Sequence, residues 1–197
     1  MSSELSEQEL VQSSKFDEEW KKHPLRKPRL AALIINSCVG ESGPRFERAK
    51  EILRQITNKE PVERYAKKTV RGFGIRKGEN IAVKVTLRNS KARDIIERLM
   101  IERDYKILKK SFDDHGNVSF GVSEHINVPG MKYDPNIGIF GFDVSIRLVR
   151  PGYRVRTRKI KRARIPRKQY VSKEETMLFM EEEFKAEIVE KIEIFWY

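Results

Sequence analysis

The chain has 197 residues, 39% of them hydrophobic and 36% charged, and a formal net charge of +12. Such a composition supports one medium domain with tails or two small domains, and leaves much of the chain outside any core. It excludes a transmembrane helix, because no apolar run is long enough to span a bilayer. The acidic start MSSELSEQELVQSSKFDEEW has no apolar centre and does not read as a secretory signal, and Cys38 is the only cysteine, which rules out an internal disulfide and suits a reducing compartment.

In chain order, residues 4–22 read as an amphipathic helix anchored by Leu5, Leu10, Val11 and Trp20, ending before Pro24 because a residue preceding proline disfavours the helical region. The apolar run LAALIINSCVG at 30–40 predicts a buried strand. A helix then opens at Pro44, with Phe46, Ala49, Ile52, Leu53 and Ile56 at helical spacing. Residues 61–65 are a short strand candidate. The glycine-rich, basic stretch 66–80, AKKTVRGFGIRKGEN, has little apolar pattern and predicts a long mobile loop. IAVKVTLR at 81–88 alternates as a half-buried strand, with Lys84, Thr86 and Arg88 on the polar side.

Asn89 or Ser90 caps a second helix with Ile95, Ile96, Leu99 and Met100 inward. Asp113 to Asn117 reads as a turn, followed by strand pieces at 118–122 and 124–128 and a strand at 141–149. Ser172 with Glu175 resembles a capping box opening a helix that carries Met177, Leu178, Phe179, Met180 and Phe184. The mixture of strands with two main helices predicts an α+β fold, a mostly antiparallel sheet covered on one face by helices. The expected organisation is an acidic N-terminal extension at 1–22, an α+β domain at 23–149, a basic arm at 150–171 and an acidic helix at 172–197.

Charge is strongly segregated. Residues 144–173 hold 12 of the 41 Lys and Arg and no Asp or Glu, so the remaining 29 basic residues match the 29 acidic ones. The whole net charge sits in that stretch. It repels itself when alone and calls for a dense polyanion, for which nucleic-acid phosphate is the usual candidate. Its basic residues Arg154, Arg156, Arg158, Lys159, Lys161, Arg162 and Arg164 are interleaved with Tyr153, Val155, Ile160 and Ile165, which favours an arm that folds on RNA over a plain basic tail. Eight acidic residues beyond position 173 allow a screening role toward the arm.

Two further sets point the same way. The strand face of Lys84, Thr86 and Arg88 suits either a solvated surface or an RNA-binding one, and spacing alone does not separate them. In the loop, Lys67, Lys68, Arg71, Arg76 and Lys77 surround Gly72-Phe73-Gly74, an aromatic between glycines that can stack on a base while the backbone approaches closely. Catalysis finds no support. His23, His115 and His125 are scattered, the Asp113-Asp114-His115 cluster is better read as turn chemistry, and Cys38 ends an apolar strand as a buried, inert thiol. No cofactor or metal is expected.

Several collinear segments resemble the large-subunit ribosomal protein L-five family, the 5S-rRNA-binding proteins. They are Ile35-Asn36-Ser37-Cys38-Val39-Gly40-Glu41, the stretch Ala66 to Gly78, Lys84-Val85-Thr86-Leu87-Arg88, Ser111-Phe112-Asp113 through Gly116-Asn117 to Gly121-Val122, and Tyr133-Asp134 with Gly141-Phe142-Asp143-Val144. They span roughly residues 25–148, and the Pro-Gly-Tyr-Arg-Val arm is similar to the archaeal and eukaryotic branch. The resemblance implies a helix-covered sheet whose open face and adjoining loops bind 5S rRNA, a place in the central protuberance beside large-subunit rRNA and neighbouring ribosomal proteins, and a loop reaching P-site tRNA.

By position, Asn36, Lys67, Lys68, Thr86 and Arg88 would contact 5S rRNA, joined by Lys59, Arg64, Thr69, Lys84 and the arm. Arg71, Gly72, Phe73, Gly74, Ile75, Arg76 and Lys77 would face tRNA. Where many members have Gly-Gln before Lys-Pro, this chain has Asn58-Lys59-Glu60-Pro61, so a glutamine contact would become a lysine contact to phosphate. The expected function is thus a structural, non-enzymatic constituent of the large subunit on the cytoplasmic ribosome, with no membrane partner. A free-standing RNA-binding or RNA-annealing protein is the alternative, and an RNA-modifying enzyme lacks a cofactor fingerprint or convergent acid–base residues.

Overall fold

The computed structural model describes Phe16 and residues 18–190. The expected anchors Leu5, Leu10 and Val11 lie outside the described residues. The helix does stop ahead of Pro24, at Lys22, and it buries Trp20. Among the described residues the strands are β1 (Arg29–Cys38), β2 (Val62–Tyr65), β3 (Asn80–Leu87), β4 (Lys106–Leu108), β5 (Asn117–Val122), β6 (Phe142–Val149) and β7 (Glu187–Val189). After that N-terminal helix, the helices are α1 (Pro44–Thr57), α2 (Ser90–Glu102), the single turn α3 (Arg154–Thr157) and α4 (Lys173–Phe184). The fold is α+β, as the mixed pattern of elements predicts.

By packing the chain forms two units. One comprises residues 32–104 and 119–146; the other takes the described residues up to 31, 105–118 and those from 147 onward.

The first unit is built on the five-stranded, mostly antiparallel sheet of order β2-β3-β1-β6-β5. One face is apolar because β-branched and aliphatic residues alternate along each strand: Leu33 and Ile35, then Val83, Val85 and Leu87, then Val144 and Ile146, are all buried. The stripe Phe46, Ala49, Ile52, Leu53 and Ile56 of α1 and the stripe Ala92, Ile95, Ile96, Leu99 and Met100 of α2 are buried with them, each large side chain contributing about 1.5–3 kcal/mol. Helix α1 packs on β3. It starts at Pro44, whose missing N–H is no loss in a first turn, and ends where Asn58 turns left-handed at φ 47° and its N–H returns to the Arg54 carbonyl at 2.8 Å.

One expectation fails here. Residues 124–128 are no strand; His125–Asn127 form a 3-10 turn. Pro129 follows at once and supplies no N–H to a ladder, while His125 is buried and holds Phe140 instead. Its N–H donates to the Phe140 carbonyl at 3.0 Å, and its Nδ1 accepts the Phe140 N–H at 3.3 Å. Burial keeps the imidazole below its ordinary pKa, consistent with a neutral acceptor. Arg98 of α2 closes the same segment by donating twice to the Pro129 carbonyl, at 2.9 and 2.6 Å.

The second unit centres on α4. Ser172 caps it, its hydroxyl accepting the Glu175 N–H at 3.2 Å. Only half of the expected capping box forms, because the Glu175 carboxylate turns inward. Oε1 accepts from Trp20 Nε1 at 3.1 Å and Oε2 from Arg150 Nη2 at 2.5 Å, and Arg150 Nη1 donates to the Lys168 carbonyl at 2.9 Å. Both charged side chains are buried, with 8% and 1% of their surface exposed. The short parallel pair of β4 and β7, matching Ile107 with Ile188, had no periodic signal strong enough to be read from sequence. Gly116 ends the Asp113–Asn117 turn at φ 78°, and a Cβ there would lie 2.9 Å from Val171 Cβ, so glycine is required on both counts.

Replacing Glu175 with Ala leaves the Arg150 charge buried without its partner. We expect a loss of about 3–5 kcal/mol of unfolding free energy in urea titration; an unchanged midpoint would mean that the pair contributes no net stability.

Candidate nucleic-acid interface

The uncovered face of the first unit's sheet is polar by alternation. Asn36 of β1 stands opposite Lys84 of β3, and Ile34 opposite Thr86. On the outer side of β3, Val62 stands opposite Lys84 and Arg64 opposite Ala82. Residues in register share a face, so Asn36, Lys84 and Val62 form one row across three strands. Ser119 of β5 and Ser145 of β6 bring their hydroxyls to 3.1 Å on the same kind of polar position. These serines and Asp143 were not singled out from the sequence, although the alternation of β5 and β6 carried the signal.

Cys38 corrects an expectation: it is exposed, not buried. Ser37 takes the inward position instead, its hydroxyl donating to the Gly141 carbonyl at 3.0 Å, so alternation turns Cys38 outward. Hydropathy misled because the apolar run continued one residue past its polar switch. Asn36, Cys38, Gly121 and Asp143 share a shallow hollow of about 420 Å³.

Basic side chains surround this face. Lys59 Nζ donates to the Thr86 carbonyl at 2.8 Å, which seats the lysine at the end of β3, and Arg88 is exposed just beyond. Glu63 is already satisfied by Lys50 Nζ at 2.8 Å and by Asn80 Nδ2 at 2.9 Å. Among the described residues Arg64, Lys67, Lys68, Lys84 and Arg88 make no ion pair, which leaves their charges available to an external anion.

The 66–80 segment has more internal structure than a long mobile loop. Its neck is closed by Ala66 N–H to the Glu79 carbonyl at 2.8 Å and Gly78 N–H to the Ala66 carbonyl at 2.9 Å. Val70 and Ile75 exchange two backbone hydrogen bonds, at 2.9 and 3.2 Å, so the loop is a hairpin pinned by one β-branched pair. The Thr69 hydroxyl accepts the Lys77 N–H at 3.1 Å. Arg71, Gly72 and Phe73 form a 3-10 turn, and Gly74 closes it at φ 67°. Phe73 is thereby held 79% exposed at the tip, with Arg71, Arg76 and Lys77 exposed around it. Ile75 is half-buried in the pairing rather than displayed.

The second unit carries the other basic surface. Residues 150–171 double back on themselves. Arg158 Nε donates to the Lys161 carbonyl at 2.8 Å, Lys161 takes φ 52°, and Ala163 N–H reaches the Val155 carbonyl at 3.2 Å. Tyr153 and Val171 are buried at its two ends. The two ends of the segment are buried, and the Arg150–Glu175 pair holds its base. Arg154, Arg156, Arg158, Lys159, Lys161, Arg162 and Arg164 are all exposed, as is Ile160 at the bend. Asp113 is turn chemistry, as expected: burial alone would raise its pKa, but bonds from the Asn117 side chain and from the Asn117 and His115 N–H groups hold it below the ordinary value. No cluster of three or more His, Cys, Asp or Glu able to hold a metal exists among the described residues.

Glu79 organises the loop's neck. The Arg76 N–H at 2.9 Å and the Ser42 hydroxyl at 2.8 Å donate to its two oxygens and lower its pKa. The folded pKa is depressed, so this contribution is present above the unfolded value and is lost as pH falls through the folded one. A carbon-13 titration of the Glu79 carboxyl should give a midpoint below that of an exposed glutamate, with the Arg76 amide shift moving in parallel. An ordinary midpoint would remove Glu79 as the pin.

Residues 23–76 match the family model described as Ribosomal protein L5, and residues 80–182 match that described as ribosomal L5P family C-terminus. The large ribosomal subunit protein uL5 of Aeropyrum pernix is 48% identical over 177 residues, which cover 89% of this chain and 92% of that protein. Its counterpart in Sulfurisphaera tokodaii is 48% identical over 85% of this chain and 96% of its own length. That of Methanococcus vannielii is 44% identical over 88% and 98%.

Proposed function

Since this chain belongs to the ribosomal protein L5 family, we propose that it binds 5S rRNA within the large ribosomal subunit. It is a structural ribosomal protein, not an enzyme, and works on the cytoplasmic ribosome as an rRNA-binding component of translation. In this reading the sheet residues Asn36, Lys84 and Thr86, with Lys59, Arg64 and Arg88 around them, meet 5S rRNA. Lys67, Lys68 and Thr69 extend that contact along the base of the hairpin. The observation that carries the assignment is a set of cations that make no ion pair among the described residues and border a polar sheet face that no described helix covers.

The chemistry supports a division of labour. Lysine and arginine neutralise phosphates and release counterions, which supplies affinity without reading sequence. Asn36 and Thr86 offer hydrogen bonds to 2′-hydroxyl groups and base edges, which helps to tell a folded RNA from a bare polyanion. The tip, Arg71 to Gly74 with Arg76 and Lys77 behind it, projects an aromatic ring and cations and is proposed to touch P-site tRNA. A chain joining 5S rRNA to tRNA in this way helps to build the central protuberance, next to large-subunit rRNA and neighbouring ribosomal proteins.

Changing Lys67 and Lys68 together to Ala should weaken 5S rRNA binding and lower the slope of log affinity against log salt by about 0.7–0.9 for each phosphate no longer neutralised. Unaltered affinity would take both lysines out of the site. Phe73→Ala should leave 5S rRNA binding intact and impair tRNA-dependent steps; an equal loss of 5S rRNA binding would overturn the separation of neck from tip.

A further inference from the structure

The doubled-back basic segment encloses a cleft of about 500 Å³ lined by Arg156, Arg162, Ala163, Arg164, Ile165 and Tyr170. Its composition is unusual for a surface that only neutralises charge. The Arg156 guanidinium carbon lies 5.4 Å from the centroid of the Tyr170 ring, within cation–π range. Tyr170 is itself held by two rings, with Tyr153 edge-on at 5.9 Å and His115 tilted at 5.3 Å. The guanidinium therefore lies over a ring that two neighbouring rings flank. Arg156, Arg162 and Arg164 make no ion pair among the described residues.

We infer that this cleft takes a single unstacked nucleotide of RNA. Its base stacks on the planar Arg156 guanidinium supported by Tyr170, and its phosphates are met by Arg162 and Arg164. A guanidinium plane offers a base the same kind of surface as an aromatic ring, and a ring behind it limits the entropy lost on stacking. The Ala163 and Ile165 side chains give the wall an apolar part that suits a base better than a phosphate. A duplex keeps its bases stacked inward and cannot fill the cleft, so the site selects looped-out or single-stranded nucleotides. This proposal deepens the RNA-binding reading above and rests on it.

The test uses the full chain, a short oligouridylate, and a blunt-ended RNA duplex with the same number of phosphates. Arg156→Lys keeps the charge and removes the plane. It should weaken oligouridylate binding by about fivefold or more, the low end of what one stacked base contributes, and leave duplex affinity and the salt slope unchanged. Arg162→Gln with Arg164→Gln should weaken both ligands and flatten the slope. Oligouridylate affinity that is the same for Arg156→Lys and the unaltered chain, or an equal loss on both ligands, would overturn the nucleotide site and reduce the cleft to charge. Co-sedimentation with large subunits reads the ribosomal placement separately. A chain that co-sediments but is insensitive to Arg156→Lys sinks the cleft alone, whereas a selective cleft in a chain that never co-sediments sinks the ribosomal placement.

Discussion

A single buried carboxylate holds the most highly charged part of this protein in place. Residues 144–173 carry 12 cations and no acid, and such a segment favours an expanded state. Glu175 opposes that tendency at one point, taking Arg150 at the base of the segment and Trp20 from the N-terminal helix. Burying an ion pair costs several kcal/mol per charge in lost hydration, which only good geometry and further hydrogen bonds repay. Here the Lys168 carbonyl and the indole N–H supply two such bonds, while Arg150 Nε is buried without a hydrogen-bond partner among the described residues. Exposed cations further along the arm can then remain unpaired, because a buried one has fixed where they start. The acidic C-terminal helix thus meets the base of the basic arm through a buried ion pair.

The sheet unit meets the same requirement by different means. Alternation gives it one apolar face, buried together with the stripes of α1 and α2, and one polar face. The hairpin beside that sheet is pinned by a β-branched pair and a carboxylate, not by a core. Both surfaces present cations without local partners, and both place an aromatic side chain among them: Phe73 exposed at a tip, Tyr170 set beneath an arginine. The difference predicts different chemistry. An exposed ring can insert or stack against whatever approaches, whereas a ring covered by a guanidinium offers a charged plane.

Much of this was legible in the sequence wherever one local pattern decided the outcome. The stripe from Phe46 to Ile56, the alternation of Ile81 to Leu87 and the Asp113–Asn117 turn each needed only a few neighbouring residues. The failures share a cause, a local signal overruled by a distant partner. Ser37 displaced Cys38 from the interior through a bond to Gly141, far along the chain. Glu175 left its capping box for Trp20 and Arg150. Residues 124–128 had strand-like composition, but His125 was claimed by Phe140. The approach of Arg156 to Tyr170 beside the arm's cleft had no local signature at all, since the fold brings them together. The candidate cations were legible by type; which of them remain unpaired was not.

The central claim is that the uncovered sheet face and the hairpin neck form a dedicated site for one RNA and not merely a polycation. The most direct measurement is binding of the full chain to homologous 5S rRNA across a range of salt concentrations, with excess tRNA as competitor. The account predicts a steep salt dependence together with binding that survives both physiological salt and the competitor. Binding that titrates away into tRNA would contradict it, leaving the charge of the arm as the whole interaction.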